Sequence, residues 1–324
     1  MIHALILADI EGVVGIYNSS DIMNSGEIFT QEVELCIQIL LENGVDKITV
    51  CDAHNEGNMV DLRITKTNCG GEGKVRLVSQ TPQVSFDIKY DFAVMTGYHG
   101  MEGSFGIWPH TYRYDIKEIS VADKISGKNI PIGEVEIDAR WLGSQGVPVI
   151  LVTGDREATY EANCFNPYRQ ACCVKSYFQS RVVDDIFVRK KLSDNIKLAL
   201  GLNSEYCLSK DDDEIAVEFY NPDTADSLGT MGYNSKGGKI IFDSCEAFVN
   251  ELHILANHLN CISEETLKVN KAFLKDVREL VKTLSKEDVA QSEIGPLLNN
   301  NLLFLDRASR DKVMVVIKDM LSNL

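Results

Sequence analysis

The chain has 324 residues, 44% hydrophobic and 25% charged, with a formal net charge of −16 at pH 7. That length can bury a full core and hold two or three domains, and the acidic balance argues against nucleic acid and anionic membranes as partners, since both would repel it. No apolar stretch approaches the length of a membrane span, and the opening MIHALILADIEG has neither the basic region nor the cleavage site of a signal peptide. Nine cysteines without a C-x-x-C pair read as small buried hydrophobes, which fits a reducing, cytoplasmic setting.

Four short apolar runs organise the first half: Ala4–Ala8 ending at Asp9, Lys47–Cys51 at Asp52, Tyr90–Gly97 at His99, and Val147–Thr153 at Asp155. Each has the length and the Val, Ile and Leu content of a buried strand. Between the first two, Phe29, Val33, Cys36 and Leu40 form one apolar stripe, predicting a helix over Gly26 to Asn43. Ser25 or Asn24 caps its start and Asn43-Gly44 stops it. The chain then re-enters as a strand, giving a βαβ unit with a right-handed crossover. A Gly-rich loop (Asn68 to Gly73) and a short strand near Val75–Val78 follow. Asp115 to Ile132 reads as a strand pair around Ser126-Gly127. Residues 134–145 read as a helix feeding the strand VPVILVTGD, and Arg156 to Asn163 as the next helix.

From about Ala171 the pattern changes. Strand-like ACCVKSYF leads to a helix over Val182–Leu200, a strand at Glu214–Tyr220, a polar connection, a strand at Lys239–Phe242 and a helix over Glu246–Leu259. Beyond Ile262 the chain is charged and helical in character. The expected fold is α/β: a mainly parallel central sheet flanked by helices in residues 1–170, a second smaller α/β domain in 171–260, and a helical C-terminal extension in 261–324.

Ligands of a parallel sheet bind beyond the carboxyl ends of its strands, and there the polar residues gather. Asp9 and Glu11, two apart, should point to one side of a strand end, and Asp52 and His54 repeat the spacing. His99 follows the third strand, His110 lies eleven residues later across a Gly-spaced loop, and Glu134 opens a helix. Any one strand-end Asp is most simply a turn-former, and His3, His253 and His258 are assigned to core or surface. It is the convergence that points to chemistry.

No Lys or Arg occurs in residues 1–46, between Lys47 and Arg63, between Lys89 and Arg113, or between Lys128 and Arg140. Asp9, Glu11 and Glu134, if brought together, therefore have no local cation, and must bind protons or metal. One divalent ion leaves three carboxylates with a formal charge of −1; two leave +1, which a bridging hydroxide cancels. Carboxylate and imidazole donors without thiolate suit zinc or another divalent first-row ion in an open, catalytic site.

These motifs resemble the D-aminopeptidases of the bacterial dipeptide-transport type, a family of binuclear zinc peptidases. The resemblance runs through most of residues 1–260 and is carried by Asp9-Ile10-Glu11-Gly12, Asp52-Ala53-His54, Gly97-Tyr98-His99, His110, Gly133-Glu134, Thr153-Gly154-Asp155 and Val174-Lys175. It implies that Asp9 bridges two zinc ions, with Glu11 and His54 completing one set of ligands and His99 and Glu134 the other. His110 would then stand over the reacting carbonyl as the catalytic residue. Asp52, by its own place at the strand end, is expected to orient a ligand. The resemblance further implies hydrolysis of N-terminal, including D-, amino acids from short peptides or aminoacyl amides, in a ring-like homo-oligomer of up to ten subunits. Glu136 and Asp138 depart from the family pattern and are expected to add negative charge beside the substrate. Two other readings compete: a magnesium-dependent phosphohydrolase using Asp9 as nucleophile, and an inactive assembly protein of the same fold. The former leaves His54, His99 and Glu134 without a task.

Overall fold

The computed structural model describes residues 1–17, 26–54, 73–78, 84–122, 128–175 and 186–260. The expected cap at Asn24 or Ser25, the turn at Ser126-Gly127, most of the Gly-rich loop and the C-terminal extension lie outside these residues. In chain order the elements are β1 (His3–Ala8), α1 (Gly26–Glu42), β2 (Lys47–Asp52), β3 (Val75–Val78), β4 (Phe92–Tyr98), β5 (Ile116–Ala122), β6 (Asn129–Pro131) and α2 (Glu134–Ser144). They continue as β7 (Val149–Asp155), α3 (Arg156–Phe165), β8 (Gln170–Lys175), α4 (Ile186–Leu200), β9 (Ile215–Phe219), α5 (Asp223–Thr230), β10 (Ser235–Lys236) and β11 (Lys239–Phe242). A further helix, α6, covers 245–260.

Two compact units divide the chain. The first comprises Met1–Thr111, Ile119–Ile215 and Asp243–Asn250; the second comprises Tyr112–Glu118, Ala216–Phe242 and a stretch opening at Glu251. The first unit holds a six-stranded sheet in the order β3-β2-β1-β4-β7-β8, and every neighbouring pair in it is parallel. A smaller sheet has the order β10-β11-β9-β5-β6, with antiparallel pairing of β5 with β6 and of β10 with β11.

Period-two alternation explains why the large sheet is covered on both faces. Ala4, Ile6 and Ala8 of β1 pack with Phe29, Val33, Cys36 and Leu40 of α1 and with Val188, Leu192 and Ile196 of α4 in one cluster. Leu5 and Leu7, equally buried, point to the opposite face, where α2 and α3 pack on β4, β7 and β8. The stripe that predicted α1 is the stripe that it buries. The helix stops at Asn43, whose side-chain amide returns to the Ile39 carbonyl at 2.7 Å.

Strand order sets the position of the site. β1, β2 and β3 run outward in one direction from the centre, and β4, β7 and β8 in the other, so the connections reverse between β1 and β4. That reversal opens a crevice at the carboxyl ends of the two strands. Register brings their ends level, with Ala8 opposite both Asp52 and Thr96. Beyond that level the Asp9 N–H still donates to the Thr96 carbonyl at 2.9 Å, and the Gly12 N–H donates to Gly97 at 2.7 Å. Gly97 has φ of +75°, and a Cβ there would collide with the Asp9 carbonyl oxygen. Only glycine lets the loop after β1 lie this close over the end of β4.

Between β9 and β11 the expected polar connection contains α5. Its sequence, DTADSLGT, is only eight residues long and buries Thr224, Ala225 and Leu228.

Candidate metal centre

Asp9, Glu11, His54, His99, His110 and Glu134 all lie in the first unit. They form three overlapping groups whose ligand atoms lie within 4.8 Å of one another: Asp9-Glu11-His54, Asp9-His99-Glu134 and Glu11-His99-His110. Sequence spacing foresaw the pairing of Asp9 with Glu11, but not its cause. β1 ends at Ala8, and residues after Asp9 form a turn closed by Val13 N–H to the Ile10 carbonyl at 3.0 Å. The turn, rather than strand alternation, brings Glu11 back beside Asp9. Asp52, the last residue of β2, is fully buried; among the described residues it belongs to none of the candidate metal groups.

Asp9 presents its two oxygens in different directions. Oδ1 lies 3.6 Å from His54 Nδ1, which is also 3.1 Å from Glu11 Oε2. Oδ2 lies 3.5 Å from His99 Nε2, which is 3.3 Å from Glu134 Oε1. His110 stacks on His99 with ring centroids 4.1 Å apart and points Nε2 at Glu11 Oε1, 3.6 Å away. Most of these gaps are long for hydrogen bonds. Two donors held at zinc distances in a tetrahedron lie about 3.4 Å apart, which matches. Asp9 Oδ2, Glu11 Oε2 and His99 Nε2 are buried and have no hydrogen-bond partner among the described residues. The donor set therefore fits a divalent cation.

The imidazoles are oriented by carbonyls, which can only accept. His99 Nδ1 donates to the Gly100 carbonyl at 3.0 Å, and His110 Nδ1 to the Trp108 carbonyl at 3.2 Å. Each ring thus directs Nε2 at the carboxylates, the arrangement common among metal-ligating histidines. Asp155 supports both sides of this corner. Its Oδ1 caps α3 through the Ala158 N–H at 2.9 Å, and its Oδ2 accepts the Gly100 N–H at 3.2 Å.

The electrostatics show how much cation the cluster demands. Burial, followed by the charge of Glu11, pushes the Asp9 carboxyl well above the usual range. Burial opposes ionisation of Glu11 too, but His54, His99 and His110 outweigh it and hold that carboxyl well below its ordinary value. Burial disfavours the imidazolium of His54, yet Glu11 and Asp9 raise it to about 10. Glu134 does the same for His99 against burial. His110 goes the other way, lowered by burial and by His99. In metal-free protein, protons held by His54, His99 and Asp9 offset the charge of the carboxylates, and a divalent ion would displace them.

One cation was singled out by the sequence only through the Val174-Lys175 resemblance, with no role attached. Lys175, at the end of β8, is 1% exposed, and its Nζ donates to the Glu11 carbonyl oxygen. The same ammonium sits 5.2 Å from the centre of the Tyr17 ring. Burial lowers its pKa to about 8, against the pull of Asp155, Glu11, Glu32 and Asp9. The expectation of carboxylates without a cation holds for the neighbouring sequence and fails for the folded site. Parallel pairing to β7 delivers this lysine from 164 positions away.

Glu136 and Asp138 differ in their surroundings. Both are buried, but Glu136 is bound by Arg140 Nε at 2.9 Å and lies 3.7 Å from Arg169. Asp138 accepts the Tyr98 hydroxyl at 2.5 Å. Two arginines stand beside Glu136 and offset its charge, whereas the Tyr98 hydroxyl, itself neutral, holds Asp138 in place without offsetting its charge.

The chain is also similar to known proteins. The D-aminopeptidase of Bacillus subtilis (strain 168) is 26% identical over 178 residues, covering 52% of this chain and 61% of that protein. The chain thus matches somewhat under two thirds of that relative's length. Among solved structures, the Zn-dependent D-aminopeptidase DppA from Bacillus subtilis, described as a self-compartmentalizing protease, superposes with a TM-score of 0.66. It is 20% identical, and the match covers 78% of this chain and 97% of that one, a likeness of fold. The family profile described as D-aminopeptidase, Peptidase_M55, matches residues 2–240, and the chain belongs to that family.

Proposed function

We propose that the protein is a metal-dependent aminopeptidase with two zinc ions per subunit, releasing N-terminal amino acids, including D-amino acids, from short peptides or aminoacyl amides. The observation that carries this reading is Asp9, buried, with one oxygen toward His54 and Glu11 and the other toward His99 and Glu134. In this proposal Glu11 and His54 would hold one ion and His99 and Glu134 the other, with Asp9 offering one oxygen to each side. Zinc held there supplies Lewis acidity and water that ionises near neutral pH.

His110 is the proposed catalytic residue. Its Nδ1 is committed to the Trp108 carbonyl, so Nε2 is the atom that takes or gives a proton or donates to the developing oxyanion. Burial and His99 keep this ring less basic than usual, consistent with neutral imidazole at working pH. The phosphohydrolase alternative gains nothing from the site, since it leaves the convergent His54, His99 and Glu134 without a task.

The homo-oligomer, a ring of up to ten subunits, is part of the same proposal, supported by the description of the Bacillus subtilis neighbour as self-compartmentalizing. A cytoplasmic location is proposed with it. All seven cysteines among the described residues are free thiols, and no described helix is long and apolar enough to cross a membrane.

The test is to quantify metals in the purified protein and assay D- and L-aminoacyl amides and short peptides with and without chelator. Bound zinc with chelator-sensitive release of the N-terminal residue is expected. Hydrolysis that survives complete metal removal, or metal-loaded protein inert across the panel, would refute the reading.

A further inference from the structure

Glu134 is the first residue of α2, and the sequence there supplies no cap of its own. Gly133 occupies the cap position, has no side chain, and leaves the N–H groups of the first turn without a local acceptor. The acceptor comes from another helix. Glu161 of α3 reaches across, and its Oε1 accepts the Gly133 N–H at 2.7 Å and the Glu136 N–H at 3.1 Å. These two bonds bracket Glu134 in the chain. The fit is close: a Cβ on Gly133 would come within 2.5 Å of Glu161 Oε2 and 2.7 Å of the Met101 Cβ. That is a physical reason for the glycine in Gly133-Glu134.

Glu161 is 4% exposed. It lies on the helix that Asp155 caps while holding Gly100, the residue that orients His99. The β7–α3 segment therefore supports both ligands, Asp155 acting on His99 through Gly100 and Glu161 acting on the turn that carries Glu134. Behind it, Arg169 donates to Ser209 Oγ at 2.6 Å and lies 3.7 Å from Glu136, so the first turn of α2 is held from a second side.

We propose that Glu161 is a positioning residue of the metal centre: by capping α2 from outside, it fixes Glu134 beside His99 and Asp9. The assignment rests on the metal-centre reading above. Loss of a cap that served only the helix would lower the urea midpoint and leave metal affinity alone. A group that sets a ligand's position changes metal affinity about 10–100-fold.

Zinc competition against a chelating dye separates these cases, using the full chain, its Glu161→Ala and Glu161→Gln variants, and urea denaturation of each zinc-free protein. Glu161→Ala should hold zinc about 10–100-fold more weakly. Glu161→Gln keeps an acceptor oxygen for the same N–H groups and should return to within about threefold of the parent. Should the alanine variant not fold, Glu161→Asp, one carbon shorter, should show the same direction of loss. Reduced stability with parental zinc affinity, or equal losses in the alanine and glutamine variants, would overturn the assignment. A parent chain that binds no zinc would instead overturn the metal-centre reading itself.

Discussion

Glu32, on α1, lies fully buried beneath the loop that carries Asp9 and Glu11. Its carboxyl accepts the Thr96 hydroxyl at 3.1 Å and the Val14 N–H at 3.3 Å. Burial raises its pKa from 4.5 to about 7, against the opposing pull of Val14, Thr96, Lys175 and Thr153. The folded protein thus keeps this proton to higher pH than the unfolded chain does. Below about pH 4.5 both states are protonated and the group is neutral in its effect. As pH rises from there to about 7, the unfolded chain ionises first and stability falls. Above that the loss levels off at about 3 kcal/mol. Glu32→Gln removes the titration but also changes the hydrogen bonding, which adds a constant offset. The informative quantity is therefore the variant's stability minus the parent's across pH. Linkage with the two pKa values puts the loss at about 1 kcal/mol near pH 5 and about 3 kcal/mol near pH 8. The difference should accordingly rise by ~2.5 kcal/mol in favour of the variant between those conditions. Urea denaturation of metal-free parent and variant, followed by circular dichroism at constant salt, measures it. A difference that stays constant across the range would refute a buried carboxyl that holds its proton to neutral pH.

Replacing Lys175 with Met removes the buried donor to the Glu11 carbonyl, and the variant should lose about 2–4 kcal/mol by urea denaturation, since acids placed around that ammonium are left behind. An unchanged urea midpoint would contradict its role as the internal counter-charge. His110→Ala should keep its zinc, by metal analysis, and lose about 10²–10⁴-fold in turnover; turnover at the parental rate would remove His110 from the mechanism.

What the sequence reveals here follows from how far each interaction reaches along the chain. β1, β2, β4 and β7 are visible as apolar runs because burial on both faces demands unbroken hydrophobicity, and α1 because one stripe faces the sheet. The site residues are visible because a parallel sheet puts its polar residues at strand ends. Their partners are not. Lys175 belongs to a strand whose own sequence gives no hint of where its last side chain points, and only the pairing of β8 with β7 settles it. Glu161 is hidden similarly, since a cap borrowed from another helix leaves no signature at Gly133. α5 escaped for a different reason: Thr, Ser and Gly in DTADSLGT are weak helix formers, and eight residues are too few to establish a helical repeat.

Lys175 also bears on how many ions the cluster can hold. Counted against Asp9, Glu11 and Glu134 alone, its positive charge would let a single divalent ion neutralise the site. The largest attraction acting on its ammonium, however, comes from Asp155, with Glu32 acting alongside Glu11 and Asp9. Asp155 offsets the lysine, and below about pH 7 Glu32 keeps its proton and adds no charge. The three carboxylates at the crevice then keep their full deficit, which a single divalent ion leaves unbalanced and two ions with a shared hydroxide close. The buried lysine thus secures the backbone of the Asp9–Glu11 turn while leaving the charge requirement of the proposed pair of ions in place.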